Sequence, residues 1–198
     1  MKKILILAYD FPPYNSIGAQ RPYSWYLYFK ELGLFPVIVT REWDNNILNA
    51  SDYIKQTKTN KTYKVETSYG IEYRCPYFPN FRDKLIIKHG LKKYAFLRKF
   101  LSFFYLIIEF IIPFFDNKKA IKDAARIAIN ENKIDFILAS GEPFILFKYA
   151  SQLSEKYNIP WIADYRDGWS TNYSRTLIEK HLLRLIEKRI IKSAHKII

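Results

Sequence analysis

Cysteine is almost absent. The 198 residues hold one, Cys75, which excludes a disulfide scaffold and fits a reducing compartment. No apolar run is long enough to cross a bilayer. The longest, residues 100–115, is 16 residues long and contains Glu109 and Pro113, whereas a span needs about 20. A signal peptide is not expected either. The basic start Met1-Lys2-Lys3 leads into only five apolar residues, Ile4 to Ala8, before Asp10 and Pro12-Pro13. Histidine is sparse: His89, His181 and His195 share no ligand spacing with each other or with Cys75, so no metal is expected. The Gly-x-Gly-x-x-Gly fingerprint is missing. Val39-Thr40 stands where an acidic residue would close the second strand, which argues against an NAD enzyme. No local signature of a Ser/His/Asp or Cys/His nucleophile is present. Acidic residues are outnumbered, 19 against 32 basic, for a net charge of +13. Such a surface attracts anions: nucleic acid, an acidic membrane or phosphorylated small molecules.

What is present suits a single folded domain over 1–198. The chain is 49% hydrophobic and 26% charged, with 16 Tyr, 15 Phe and 4 Trp, far too much burial capacity for a disordered chain. Residues 3–9 form a short apolar run, read as a strand covered on both faces. A turn over 10–19 leads to a helix with Pro22 expected in its first turn. Trp25, Tyr28, Phe29 and Leu32 mark its apolar face and Gly33 its end. Residues 35–40 are a second strand, which completes a βαβ unit and favours a parallel sheet. Residues 41–62 read as a loop, and 63–69 and 71–78 as strands around Gly70. Ile121, Ala124, Ala125 and Ala128 make a narrow helical face, followed by a strand over 134–139 and a turn over 140–143. Leu146, Ala150, Leu153 and Tyr157 mark another helix, and 160–163 another strand. A last helix runs from about Thr176, with Ile178, Leu182, Leu185 and Ile186 on one face. A further strand begins near His195. The fold class is α/β, a Rossmann-like open parallel sheet with flanking helices.

Ligands of open parallel sheets bind beyond the carboxyl ends of the strands. Three loops fall there. In the first, Gly18 permits close backbone approach at a helix start, and Arg21 offers a charged donor; the same loop also reads as a plain turn. In the second, Ser140-Gly141-Glu142-Pro143, Glu142 suits a base or a hydroxyl acceptor, or else a helix cap. In the third, Asp164, Arg166 and Asp167 place an arginine between two carboxylates. That arrangement suits a sugar hydroxyl or a phosphate, or a structural ion-pair cluster.

Residues 82–115 join a basic stretch to the long apolar run. Lys92, Lys93, Arg98 and Lys99, followed by Phe103, Phe104, Ile107 and Ile108, fit a segment in the interface of an anionic membrane. A core helix with a solvated basic flank is the other reading. Nucleic acid is not the expected partner, because the basic residues border a solid apolar run and do not alternate with isolated stacking aromatics.

The ordered motifs together resemble the N-terminal half of bacterial glycosyltransferases of family 4, which have the GT-B fold. The matching pieces are Lys3-Ile-Leu-Ile-Leu-Ala-Tyr-Asp-Phe-Pro-Pro13, the loop with Gly18 and Arg21, Glu31-Leu-Gly33 before Val37-Ile-Val-Thr40, Ile134-Asp-Phe-Ile-Leu-Ala-Ser-Gly-Glu-Pro143, Ile162-Ala-Asp-Tyr-Arg-Asp-Gly-Trp169, and Glu187 through Ile197. The resemblance implies an acceptor-side domain of an enzyme that moves a hexose from a nucleotide sugar to a cell-surface polysaccharide or lipid-linked glycan. Gly18 would face the donor diphosphate, with Arg21, Ser140, Gly141, Glu142, Asp164, Arg166 and Asp167 at the cleft. No catalytic residue is assigned. The donor is a co-substrate, and no cofactor or metal is implied. Where the family often has two glycines in the first loop, Ile17 precedes Gly18 here. The family's donor domain, with its paired glutamates seven residues apart, has no counterpart. Glu179 and Glu187 have that spacing but fall in a helix of the first half. A missing donor-binding domain or subunit is therefore a further implied partner, and this chain alone is expected to be inactive. The implied location is cytoplasmic, peripheral on the inner face of the cytoplasmic membrane. The alternative is a non-catalytic module that binds a membrane or a partner.

Overall fold

Strand β1 (Lys2–Leu7) sits at the centre of the sheet and is buried on both faces from Ile4 onward, which is why its sequence shows no alternation. A computed structural model of the chain describes residues 1–45 and 47–198. After β1 come α1 (Ile17–Tyr28), β2 (Leu34–Arg41) and the single-turn α2 (Ala50–Tyr53). The hairpin β3 (Tyr63–Glu66) and β4 (Ile71–Cys75) follows, then α3 (Phe81–His89), α4 (Ala95–Ile108) and α5 (Lys119–Glu131). The chain finishes with β5 (Phe136–Gly141), α6 (Ile145–Tyr157), β6 (Trp161–Tyr165), α7 (Leu177–Ile191) and β7 (Lys196–Ile197). The seven described strands form one sheet in the order β3-β4-β2-β1-β5-β6-β7, with only β3 antiparallel. This is the expected Rossmann-like open sheet. The expected loop over 41–62 holds the turn of α2 and includes residue 46, which lies outside the described residues.

Register splits the core in two. Leu5, Val37 and Ile137 stand in line across three strands, as do Ile6, Ile38 and Leu138 one step along. Alternate residues point to opposite faces. The first row belongs to the larger core under α5 and α6, where Ala124, Ala125 and Ala128 let α5 approach the sheet closely. The second row meets Phe11 and Tyr26 beneath α1.

Three details correct the sequence reading. Pro22 lies in the second turn of α1, not the first, and it is buried there. It has no N–H to give the carbonyl four residues back, that of Gly18. The inward face of α1 is Ala19, Pro22 and Tyr26. Leu32 is 72% exposed, because residues 29–32 tighten into a 3₁₀ turn and leave the 3.6-residue period. In α7, Leu183 and Ile190 are buried while Ile178 and Leu185 are exposed. Its inward face carries Glu187, which accepts from the Tyr165 hydroxyl at 2.7 Å and the Ser170 backbone N–H at 3.1 Å. An apolar count cannot register a face centred on a glutamate.

Candidate functional site

Strand order reverses between β1 and β5, the place where open α/β sheets bind ligands. Asp10 follows β1 at this point. Its carboxylate accepts from the Tyr53 hydroxyl at 3.1 Å and from the Ser16 hydroxyl at 3.3 Å. Ser16 in turn caps α1 by accepting from Ala19 N–H at 3.0 Å. Burial raises the Asp10 pKa above the usual carboxylate range, although Tyr53, Arg166 and Ser16 pull the other way. Asp10 was not among the sequence candidates. The signal was available, since it is the first charged residue past the carboxyl end of a buried strand.

Behind Asp10, the buried Arg41 lies 4.0 Å from the ring centre of Tyr77 and 4.2 Å from that of Trp43. It donates to the Tyr9 hydroxyl at 3.0 Å and to the Lys55 carbonyl at 2.7 Å. This cation, held by rings and carbonyls, fixes the aromatic wall against which Tyr53 and Asp10 rest.

The sequence candidates divide into two sets. Arg21 Nη1 donates to Asp164 Oδ1 at 2.7 Å, and Ser140 Oγ donates to Asp164 Oδ2 at 2.8 Å. Asp164 is buried, so these three tie α1, β5 and β6 together behind the cleft surface. Arg166 sits elsewhere. Its only ion-pair partner among the described residues is the exposed Asp167, at 3.4 Å. The expectation of one arginine between two carboxylates is thus corrected: two arginines serve the two aspartates separately. A methyl group on Gly18 would overlap Arg166 Nη1 and come within 2.8 Å of Asp10 Oδ2. Glycine is therefore what lets the guanidinium lie on the start of α1 beside Asp10. Gly141 is similarly enclosed, since a methyl there would come within 2.7 Å of the Phe144 ring.

Glu142 does not cap α6. The N-cap of that helix is Phe144, without a side-chain bond. Glu142 instead faces Arg175, with Oε1 to Nη2 at 3.9 Å. Arg175 is mostly buried, and its Nε has no hydrogen-bond partner among the described residues. Nothing in the sequence distinguishes Arg175 from the other surface-loop arginines.

These groups open onto one cleft of about 1290 Å³. Its floor includes Tyr9, Asp10, Glu142, Arg166 and Arg175. Its roof is α4, through Arg98, Lys99, Ser102, Phe103, Leu106 and the following Phe110, a series that keeps one side of a helix. Below the roof, Lys118 Nζ lies 3.0 Å from Glu109 Oε2. Burial alone would lower the Lys118 pKa, but Glu109, Tyr9 and Asp116 outweigh it and raise it.

The same geometry rearranges the expected membrane residues. Arg98, Lys99 and Phe103 line the cleft, and Phe103, Phe104, Ile107 and Ile108 are half-buried. Ile107 packs against the main core. The side chains that α4 gives to solvent are Phe96, 87% exposed, with Leu97 and Phe100. Lys92 and Lys93 lie exposed just ahead of them. A hydrophobic run does not say which of its sides another element will cover.

Among the described residues no helix is long and apolar enough to cross a membrane, and no three His, Cys, Asp or Glu side chains converge on a metal position. No family model matches the chain, and no curated protein sequence does.

Proposed function

We propose that this chain is the acceptor-side domain of a nucleotide-sugar-dependent glycosyltransferase that works at an anionic membrane surface on a cell-surface polysaccharide or lipid-linked glycan. The observation that carries the reading is the seating of Arg166 over Gly18 at the reversal of strand order, beside the buried Asp10. Transfer of a sugar from a nucleoside diphosphate builds negative charge on the departing diphosphate. A guanidinium next to the free N–H groups of a helix start is suited to meet that charge. The other requirement is a carboxylate to orient the incoming hydroxyl. Asp10 and Glu142 both line the cleft, and burial makes Asp10 a better proton acceptor than an ordinary aspartate. Asp164, Arg21 and Ser140 act one layer back, holding the strand ends in place. The donor sugar's own domain is supplied by a second domain or subunit.

The test is calorimetric titration of protein isolated from its native cells, together with any subunit that accompanies it, with a panel of nucleoside diphosphates. One member of the panel should bind, and Arg166→Ala should weaken it about tenfold or more, the loss of one charge-assisted contact. Equal affinity in the variant would remove Arg166 from the site.

A further inference from the structure

The cleft carries positive charge at two separated places. Arg98 and Lys99 line it from α4, beside Ser102, and Arg166 and Arg175 line it from the segment after β6. From Lys99 to its end at Ile108, α4 rises about 14 Å. Just past that end, Phe110 lies 5.3 Å from the ring of Trp169, and Phe144 stacks on Trp169 at 5.0 Å. Glu142, the neighbour of Arg175, is two residues before Phe144. Arg175 therefore belongs to the Phe110 end of the cleft, and Lys99 to the other.

Six cations and five carboxylates line the cleft, but they do not cancel where a ligand would lie. Arg82 pairs with Asp83 at 3.1 Å and Lys118 with Glu109 at 3.0 Å. Glu179 is spent on the start of α7, where it accepts from the Thr176 N–H at 2.7 Å and hydroxyl at 2.9 Å. Arg98, Lys99, Arg166 and Arg175 then face only Asp10 and Glu142. Asp10 is already turned to the hydroxyls of Tyr53 and Ser16. A cleft with this surplus favours an anionic ligand.

Arg175 is the least satisfied of the four. Its side chain is 18% exposed, yet its guanidinium makes no hydrogen bond among the described residues. Glu142 Oε1, 3.9 Å from Nη2, offsets part of the charge but is too far to accept. A guanidinium so far withdrawn from water and left unbonded is costly. Its planar fork suits a carboxylate or phosphate held by two donors. At the other end, Arg98 is fixed by the carbonyls of Lys93 and Leu91, and exposed Lys99 pairs with no carboxylate among the described residues.

We infer that the acceptor is an acidic oligosaccharide. One acidic group of the glycan takes the fork of Arg175, and a second, further along the same chain, meets Lys99 and Arg98. Two cationic places set apart along α4 match charge repeated on a sugar chain, not the adjacent charges of a single head group. Arg166, beside Gly18, remains for the departing diphosphate. The inference rests on the acceptor-side reading and narrows it: Arg175 and Lys99 select an acidic glycan over a neutral one.

The experiment is calorimetric titration of the 198-residue chain with hexagalacturonate, which has a carboxylate on every ring, and with neutral maltohexaose and inorganic polyphosphate. Hexagalacturonate should bind at least about tenfold tighter than maltohexaose, and Arg175→Gln should weaken it about tenfold. Lys99→Gln should weaken hexagalacturonate but not digalacturonate, which is too short to reach it. Glu142→Gln should strengthen binding by removing the competing carboxylate. Two exposed sites outside the cleft serve as controls: Glu155→Gln and Lys188→Gln should change nothing. Folding of each variant is checked by the inertness of its buried Cys75 thiol. If Arg175→Gln fails that check, Lys99→Gln and Glu142→Gln decide. No binding of hexagalacturonate, equal binding of maltohexaose, or equal losses in the cleft and Lys188 variants would overturn the inference. Polyphosphate binding as tightly, with the same dependence on Arg175, would overturn the glycan. Arg175-dependent binding in a protein that never transfers sugar would instead refute the transferase reading and leave the acidic-glycan site standing.

Discussion

Arg21 reaches from the first helix to the carboxylate of Asp164 at the end of β6, 2.7 Å away. The partners are unequal: the Asp164 side chain is 2% exposed and the Arg21 side chain 46%. The bond spans 143 positions in sequence and joins the helix that carries Gly18 to the strand that leads into Arg166. The site depends on this fastening, because Arg166 must lie over Gly18.

Arg21→Ala leaves Asp164 buried with Ser140 as its one remaining donor among the described residues. Loss of a partner from a fully buried pair costs about 3–5 kcal/mol; half-exposure of Arg21 reduces the expectation to about 2 kcal/mol. Urea unfolding should show this loss. Asp164→Asn, which removes the buried charge, should partly restore stability in the double variant.

Gly18→Ala should separate stability from binding. Alanine is the better helix former by up to about 1 kcal/mol, and the atom it meets is the end of a flexible arginine. Thermal unfolding should be unchanged or slightly later. Nucleoside diphosphate binding should weaken because Arg166 is displaced. Unchanged binding would dissociate Gly18 from the site.

Asp10 gives a pH signature. Its folded-state pKa lies above its unfolded value, because burial disfavours the charged form. The folded state thus holds the proton more tightly, and Asp10 subtracts stability as pH rises through that window. Asp10→Asn should stabilise the fold at neutral pH, and the gain should vanish below the ordinary carboxylate range, where aspartate is neutral in both states. Paired unfolding curves across that range test this. A gain that grows on acidification would contradict it.

How far this was visible in advance depended on the kind of signal. The central strands were legible because burial on both faces leaves continuous runs such as Ile4 to Ala8. The face of α5 was legible because its alanines repeat at helical spacing. The inward face of α7 was hidden by Glu187, and that of α1 by the 3₁₀ turn that follows it. Within the site, loop position pointed to Arg166 and Glu142. Sequence could not show that Asp164 and Ser140 turn behind the cleft to meet Arg21, or that Arg175 swings across to Glu142, since those are long-range pairings. The 82–115 segment was recognised by composition, but composition does not say which stretch of a helix lines a cleft and which stands in solvent.

Cys75 supplies a folding readout. It is fully buried, and burial pushes its thiol pKa up to about 12. The native protein should resist a thiol reagent at neutral pH and react once unfolded. Rapid reaction under native conditions would mean that the β3–β4 hairpin opens readily.

Phe96→Ser with Phe100→Ser should cut sedimentation with anionic vesicles more than tenfold, since each buried Phe contributes about 2 kcal/mol. Stability should change little, because both side chains stand in solvent. Undiminished sedimentation would move the membrane contact away from α4.

The most direct measurement is sugar transfer by the native protein. The chain would be immunoisolated from its own cells with any accompanying subunit, then incubated with radiolabelled nucleotide sugars and an extract of the cell envelope holding both its lipids and its polysaccharides. Label from one nucleotide sugar is expected to move into a polysaccharide or lipid-linked product, and Arg166→Ala is expected to abolish the transfer. No transfer from any nucleotide sugar would contradict the glycosyltransferase reading and leave a membrane-binding module in its place.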